Sequence, residues 1–236
     1  MRDSDLPKIS ILTPTYNRSK FLPLYFHNLK RLNYPHDKLE VCIDDDGKEP
    51  FINYDEFKEQ IKPMTLVYHR DKKRRTIGEK RNHLVKKLSS NKIMCFMDDD
   101  DIYDSQYVIY SYMCLLENKC GLVGSSSMLF TYPELGFKLT GIRCPKVFQI
   151  HEATMLFTRK YFNSMGGFDK SSQGEGYSFI LNQEKNVFNT DINNVMICVG
   201  HDGNSVDKMQ FSVDENKLDI FKGPEVNILK EIFNIE

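Results

Sequence analysis

Strand-like apolar runs alternate with helical patterns along the first half of the chain, and this alternation limits the possible folds most. Four runs begin at residues 8, 39, 64 and 92, and they read KISILT, LEVCID, MTLVYH and KIMCFM. Apolar side chains recur at helical spacing in residues 21–32, after a candidate N-cap at Ser19, and again in residues 77–88. Strands that alternate with helices of about ten residues imply crossover connections and a parallel sheet covered on both faces.

The pattern changes beyond Gly121, where shorter apolar runs separated by glycine and proline predict antiparallel hairpins. A helix capped by Asp104 precedes this change, and helices are predicted at residues 159–165, after Gly176 and at about 225–232. We therefore predict an α/β fold with a mostly parallel sheet and a smaller mixed or antiparallel portion. Residues 1–236 form a single domain, with halves at about 8–120 and 121–205 and an extension over 206–236.

Composition excludes several classes of protein. The 236 residues carry 32 basic and 33 acidic side chains, so no overall field favours nucleic acid or an acidic membrane surface. Charges in the first twenty residues argue against a secretory signal, and no apolar run is long enough for a transmembrane segment. We expect a cytoplasmic protein whose six cysteines, which lack metal-ligand or redox spacing, are reduced core thiols.

The run Asp98-Asp99-Asp100-Asp101 directly follows the fourth apolar strand. Adjacent carboxylates repel one another, and the carboxyl ends of parallel strands are where open α/β sheets hold ligands. The run therefore predicts a site for a hard divalent cation, Mn²⁺ or Mg²⁺. A solvated acidic loop is the alternative. An EF-hand is disfavoured because Tyr103 stands where that loop needs glycine.

Two further charged segments belong to the same edge of the predicted sheet. The turn at residues 44–47 ends the second strand, and its carboxylates either accept hydrogen bonds from a nucleobase or ribose or simply form an Asp-Gly turn. Residues 70–92 contain ten Lys or Arg against two acidic residues. Lys80, Arg81 and Asn82 open a helix and suit an anionic ligand, whereas the segment lacks the interleaved aromatics of a nucleic-acid surface.

Five motifs in this order resemble family 2 glycosyltransferases of the GT-A fold, from about Lys8 to Ser205. They are ISILTPTYNR, LEVCIDDDG, TIGEKRN, CFMDDDDIY and MGGFDKSSQGEGYSF. The resemblance implies a metal-dependent, inverting transfer of a sugar from a nucleotide-diphospho-sugar, with UDP favoured. The acceptor would be a hydroxyl of a glycan or glycoprotein.

The resemblance also implies residue roles. The nucleotide-sugar site would be formed by Pro14, Thr15, Tyr16, Asp45, Arg81, Asp98 and Asp99. Asp45 would meet the base and Arg81 the base or diphosphate. The metal would be held by Asp100, with His201 and Asp98.

The sequence departs from the family pattern at Glu175-Gly176, where many relatives have Glu-Asp. Glu175 is the predicted catalytic base; Asp169 in that role, or Glu175 as a helix cap, remain open. His151 and Glu152 either orient an acceptor sugar or form a polar strand edge. The departure keeps a non-catalytic sugar-nucleotide or glycan-binding module as an alternative. A nucleotidyltransferase is a weaker one, because TPTYNRSK contains no glycine for a phosphate loop.

Overall fold

The computed structural model describes residues 3–144 and 146–236. The strands are β1 (Ile9–Thr15), β2 (Leu39–Asp45), β3 (Thr65–Arg70), β4 (Ile93–Phe96), β5 (Ile102–Tyr103), β6 (Leu122–Gly124), β7 (Met128–Tyr132), β8 (Lys138–Ile142), β9 (Leu156–Thr158), β10 (Val187–Asn189), β11 (Met196–Val199) and β12 (Lys217–Ile220). The helices are α1 (Leu22–Arg31), α2 (Tyr54–Gln60), α3 (Ile77–His83), α4 (Tyr107–Glu117), α5 (Arg159–Met165), α6 (Tyr177–Ile180) and α7 (Val226–Phe233).

The larger sheet has seven strands in the order β10-β6-β9-β4-β1-β2-β3. Strands β4, β1, β2 and β3 are parallel, as the alternation predicted, and β9 runs antiparallel between β4 and β6. Strand β1 continues through Pro14 to Thr15, beyond the predicted end, and pairs there with Asp44 and Asp45. Because β1 lies between β2 and β4, the acidic segments that follow those two strands lie at the same edge of the sheet.

A second sheet of five strands, in the order β12-β8-β7-β11-β5, forms the mixed portion. Strands β7 and β8 make the predicted antiparallel hairpin, whose turn places Gly136 in the left-handed region at φ 64°. Strand β11 joins β7 in parallel and β5 in antiparallel fashion. Because β5 directly follows the acidic run, this sheet connects that run to the second half of the chain.

Two predicted helix caps are wrong in detail. Ser19 opens a 3₁₀ turn, and α1 starts only at Leu22, with Pro23 in its first turn and no side-chain cap. Asp104 accepts a hydrogen bond from the Gln106 amide at 2.8 Å, which closes the turn before α4 and does not cap the helix itself. In both cases a further turn of chain separates the polar residue from the first α-helical residue.

Helix α3 begins at a capping box: the Thr76 hydroxyl accepts from the Glu79 amide and Glu79 accepts from the Thr76 amide. The helix continues into a π-helical turn, Leu84–Leu88, so the predicted span of 77–88 is confirmed. The six cysteines are free thiols, and Cys42, Cys95 and Cys198 are buried as expected.

The C-terminal extension packs onto the first half. Leu229 of α7 is fully buried in a cluster with Phe21 and Leu24. The buried Glu225 carboxylate forms an ion pair with Arg31 and lies 3.1 Å from His27 Nε2. Within residues 3–144 and 146–236, no helix combines the length and apolarity that crossing a membrane requires.

Arg159, at the start of α5, supports the end of the π-helical turn. Its guanidinium donates to the carbonyl oxygens of Val85, Ser89 and Asn91 at 2.7–3.0 Å. We expect Arg159→Ala to lower the free energy of unfolding by about 2–3 kcal/mol, because these carbonyls lose a charged donor. Urea denaturation measures the loss. Lys160→Ala, at the exposed neighbour, is the matched control, and equal midpoints for the two variants would contradict the assignment.

Candidate active site

A cavity of about 810 Å³ opens at the carboxyl edge of the central strands. Its walls come from the acidic run, α3, the 172–175 loop, the mixed sheet and residues 203–208. Most of the residues predicted for the site line it: Pro14, Tyr16, Arg81, Asp98, Asp99, Asp100, Glu175 and His201. Thr15 and Asp45 lie outside the lining.

The acidic run turns sharply from β4 into β5. Backbone and side-chain donors fix the turn: Asn28 donates to the Asp101 carbonyl and the Val199 amide donates to the Asp101 carboxylate. Asp99, Asp100 and Asp101 are buried. Burial and the neighbouring carboxylate of Asp100 raise the pKa of Asp99 well above its usual range and the pKa of Asp101 to about 8. Asp99 and Asp101 therefore hold their protons more tightly than isolated carboxyl groups do.

Asp100 meets His201 across the cavity. His201 Nε2 lies 3.1 Å from Asp100 Oδ2, and the Arg18 guanidinium lies 3.3 Å from the same oxygen. Burial acts to raise the pKa of Asp100, but the hydrogen bond from His201 and the charge of Arg18 outweigh it and lower the pKa. The Phe21 ring, 4.8 Å from the imidazole, fixes the orientation of His201.

These residues fit a divalent cation. A carboxylate and an imidazole whose ligand atoms are 3.1 Å apart can both reach one ion at about 2.1 Å. Asp98, also predicted as a ligand, instead faces Arg81, with both carboxylate oxygens 3.4 Å from guanidinium nitrogens.

Arg81 links the acidic run to the 169–175 loop. Its Nε donates to Glu175 Oε1 at 2.9 Å while its other nitrogens face Asp98. Burial acts to lower the pKa of Arg81, but the charges of Asp98 and Glu175 outweigh it and raise the pKa. Gly78 permits this contact, because a Cβ there would lie 1.8 Å from the Asp169 carbonyl oxygen. The guanidinium predicted to meet a ligand is thus largely committed to two carboxylates.

Asp45, predicted to meet a nucleobase, is committed to the fold. Its carboxylate accepts hydrogen bonds from the amides of Gly47 and Phe51 and from the Tyr68 hydroxyl, at 2.6–2.9 Å, and it is 1% exposed. Asp45 is enclosed because the chain turns back at Gly47 and covers this side chain. Thr15, similarly enclosed, donates its hydroxyl to Asp99.

Tyr16 and Arg74 form a wall of the cavity that sequence reasoning did not identify as a pair. The Arg74 guanidinium lies 3.1 Å from the centre of the Tyr16 ring. Behind this pair, the buried Lys80 ammonium contacts the Thr15 carbonyl and the Asp46 carboxylate at 2.7 and 2.6 Å. Part of the basic segment thus supports the cavity floor.

A second group of possible metal ligands lies outside the cavity lining. Donor atoms of Asp44, His69 and His83 lie within 4.8 Å of one another. The Arg75 guanidinium lies 2.8 Å from the same Asp44 oxygen that faces His69, so a cation there would compete with a guanidinium. Asp44 ends the second apolar run of the sequence and His69 ends the third. The parallel register of β2 and β3 places these two residues side by side.

Glu175 and Gly176 lie at the start of α6. Glu175 makes no capping hydrogen bond to the helix, which removes the helix-cap alternative. Asp169 is exposed and lies outside the cavity lining, so it is poorly placed to act as a base there. The Gly176 amide donates to Glu152 Oε1 at 2.8 Å. Glu152 lies on a 3₁₀ turn, Glu152–Thr154, where a polar strand edge was one expectation.

Known proteins resemble this chain in sequence over its first half and in fold over most of its length. Residues 10–124 match the family model described as Glycosyl transferase family 2. A search of curated protein sequences found no significant match.

Solved structures share the whole architecture at low sequence identity. A mannosyltransferase from Pyrobaculum calidifontis, in complex with GDP-Man and Mn²⁺, aligns with 89% of this chain and 60% of its own, at 16% identity and a TM-score of 0.61. S. aureus TarS 1-349 in complex with UDP aligns with 95% of this chain and 64% of its own, at 13% identity and a TM-score of 0.64.

The TarS complex with UDP-GlcNAc aligns with 97% of this chain and 67% of its own, at 14% identity and a TM-score of 0.63. This chain therefore spans about two thirds or less of each of these proteins. At these identities the likeness shows the fold, and the family model concerns the first half of the chain. Residues 10–124 match glycosyl transferase family 2, and the architecture of the chain is the GT-A fold.

Proposed function

We propose that the chain is a metal-dependent, inverting glycosyltransferase that moves a sugar from a nucleotide-diphospho-sugar to a hydroxyl of a glycan or glycoprotein. The observation that carries the proposal is the Asp100–His201 pair, which brings two cation ligands from distant segments to one point of the cavity. A UDP-sugar is the favoured donor, and support for it comes from the UDP and UDP-GlcNAc complexes of the structurally similar TarS. The mannosyltransferase complex with GDP-Man makes GDP-sugars the second choice.

The proposed donor site follows the cavity wall from Pro14 and Tyr16 to the acidic run. The nucleobase of the donor lies against Tyr16, and Asp45 holds the loop at Gly47 behind it. The ribose lies near Asp99 and the diphosphate near Asp98 and Asp100. A divalent cation held by Asp100 and His201, with Asp98 at the edge of the site, would neutralise the charge that develops on the leaving diphosphate.

The remaining requirement is a base for the acceptor hydroxyl. Inversion needs attack on the face of the sugar opposite the diphosphate, so the base belongs on the wall away from His201. Glu175 and Glu152 both line the cavity. Because Glu175 already pairs with Arg81, a sugar-nucleotide-binding module without transfer is the second candidate function.

The family of activities is tested by a donor panel. We expect release of UDP from one of UDP-glucose, UDP-galactose, UDP-xylose or UDP-GlcNAc in the presence of Mn²⁺, and loss of that release in EDTA. GDP- and dTDP-sugars are the comparison donors. Tight binding of a donor without any release would favour the binding module, and pyrophosphate release from a nucleoside triphosphate would favour a nucleotidyltransferase.

The cation ligand is tested by Asp100→Asn. We expect kcat/KM for donor turnover to fall at least about 100-fold, because the neutral amide no longer balances the cation. Asp202→Asn is the matched control, since Asp202 is the exposed neighbour of His201 and lies outside the cavity lining. Equal kinetics for the two variants would remove Asp100 from the metal site.

Arg18 competes with a cation for Asp100. We expect Arg18→Ala to tighten Mn²⁺ binding in the absence of nucleotide about three- to tenfold, because a positive charge next to the ligand oxygen is removed. Titration calorimetry measures the affinity, and Lys48→Ala, at an exposed position outside the cavity, is the control. Weaker binding in Arg18→Ala would instead make Arg18 a support of the metal site.

A further inference from the structure

The carboxylates that line the cavity differ in how far they are already engaged. Asp98 and Glu175 share the Arg81 guanidinium, and Asp100 is held by Arg18. Asp99 and Asp101 are 3% and 4% exposed and hold the turn of the acidic run. A general base needs an oxygen that can reach a substrate hydroxyl and accept its proton. Asp98, Asp100 and Glu175 are thus paired with cations, and Asp99 and Asp101 are enclosed in the turn, so each of the five is less available for that task than an unpaired carboxylate.

Glu152 is the exception among the described residues of the lining. It is half-buried, forms no ion pair in the described chain, and accepts a single hydrogen bond, from the Gly176 amide to Oε1. Its second oxygen, Oε2, has no protein partner within the described residues. Glu152 therefore has an oxygen available at the cavity surface.

The topology holds Glu152 beside the acidic run. Strand β9 is antiparallel to β4, so the start of β9 lies next to the end of β4, where Asp98 begins the run. The Tyr103 hydroxyl bridges the two, since it accepts from the Asp98 amide at 2.8 Å and donates to the Ala153 carbonyl at 3.0 Å. The residue before Ala153 is thereby fixed at the side of the proposed diphosphate site.

Gly176 leaves the space that Glu152 fills. A Cβ at position 176 would lie 2.7 Å from Glu152 Oε1 and 2.8 Å from Glu152 Cγ. Any side chain at 176 would therefore displace the Glu152 carboxylate. The missing side chain and the carboxylate in its place are two parts of one arrangement.

We propose that Glu152 is the general base of the transfer and that Glu175 is a positioning residue which holds Arg81. The inference rests on the proposed glycosyltransferase function. The acceptor O–H passes its proton to Glu152 Oε2 while the acceptor oxygen forms a bond to the anomeric carbon of the donor. The bond from that carbon to the diphosphate oxygen breaks, and its electron pair leaves with the nucleoside diphosphate. Glu152 then returns the proton to solvent.

The test uses Glu152→Gln in the full chain, with the most active donor from the panel and release of its nucleoside diphosphate as the readout. The amide oxygen of glutamine can still accept from the Gly176 amide, so a structural role survives while the base is lost. We expect kcat to fall about 100-fold or more while the dissociation constant of the donor stays within about twofold. Glu134→Gln, at an exposed turn outside the cavity, is the control.

A relocation experiment asks the same question in the other direction. Glu152→Ala empties the space next to Gly176, so adding Gly176→Asp to it returns a carboxylate from the opposite side. We expect the double variant to exceed Glu152→Ala at least about tenfold in kcat. A kcat in Glu152→Gln equal to that of the wild-type chain would overturn the inference. A wild-type chain that neither binds nor cleaves any sugar nucleotide would instead overturn the proposed function itself.

Discussion

Carboxylates crowd the carboxyl edge of the larger sheet, and the site depends on how their repulsion is balanced. Buried anions are stable in a protein only beside cations or hydrogen-bond donors. Arg75, Lys80 and Arg81 pair with Asp44, Asp46 and Asp98, respectively, and all three cations come from the basic segment at residues 70–92. The near-zero net charge of the chain thus conceals acidic and basic segments that pair with each other at this sheet edge.

Much of this arrangement could be predicted from the sequence. The period and length of the apolar runs determine which segments become parallel strands, and parallel strands bring their carboxyl ends to one edge. That is why the acidic run, Arg81 and Tyr16 were expected at one cavity. The place of β9 inside the larger sheet, between β4 and β6, was not predictable, because an apolar run does not specify which strands it will pair with.

The directions in which individual side chains point could not be predicted from the sequence. Asp44, Asp45 and Asp46 are adjacent, yet one faces two histidines, one is enclosed by the loop at Gly47 and one meets Lys80. Only the path of the loop after β2 decides between these environments. Gly176 presents the same difficulty. In the sequence it stands where many relatives have a carboxylate, whereas in the structure it leaves the space that the Glu152 side chain fills.

The ion pair between Arg18 and Asp100 bears on how the acidic run folds. Because the Arg18 guanidinium and His201 already contact the Asp100 carboxylate, this carboxylate has partners within the same polypeptide. Proteins whose ligand clusters have no such internal counter-charge fold only as they load their metal. In this chain Asp100 has such partners, so burial of this carboxylate does not depend on a bound cation.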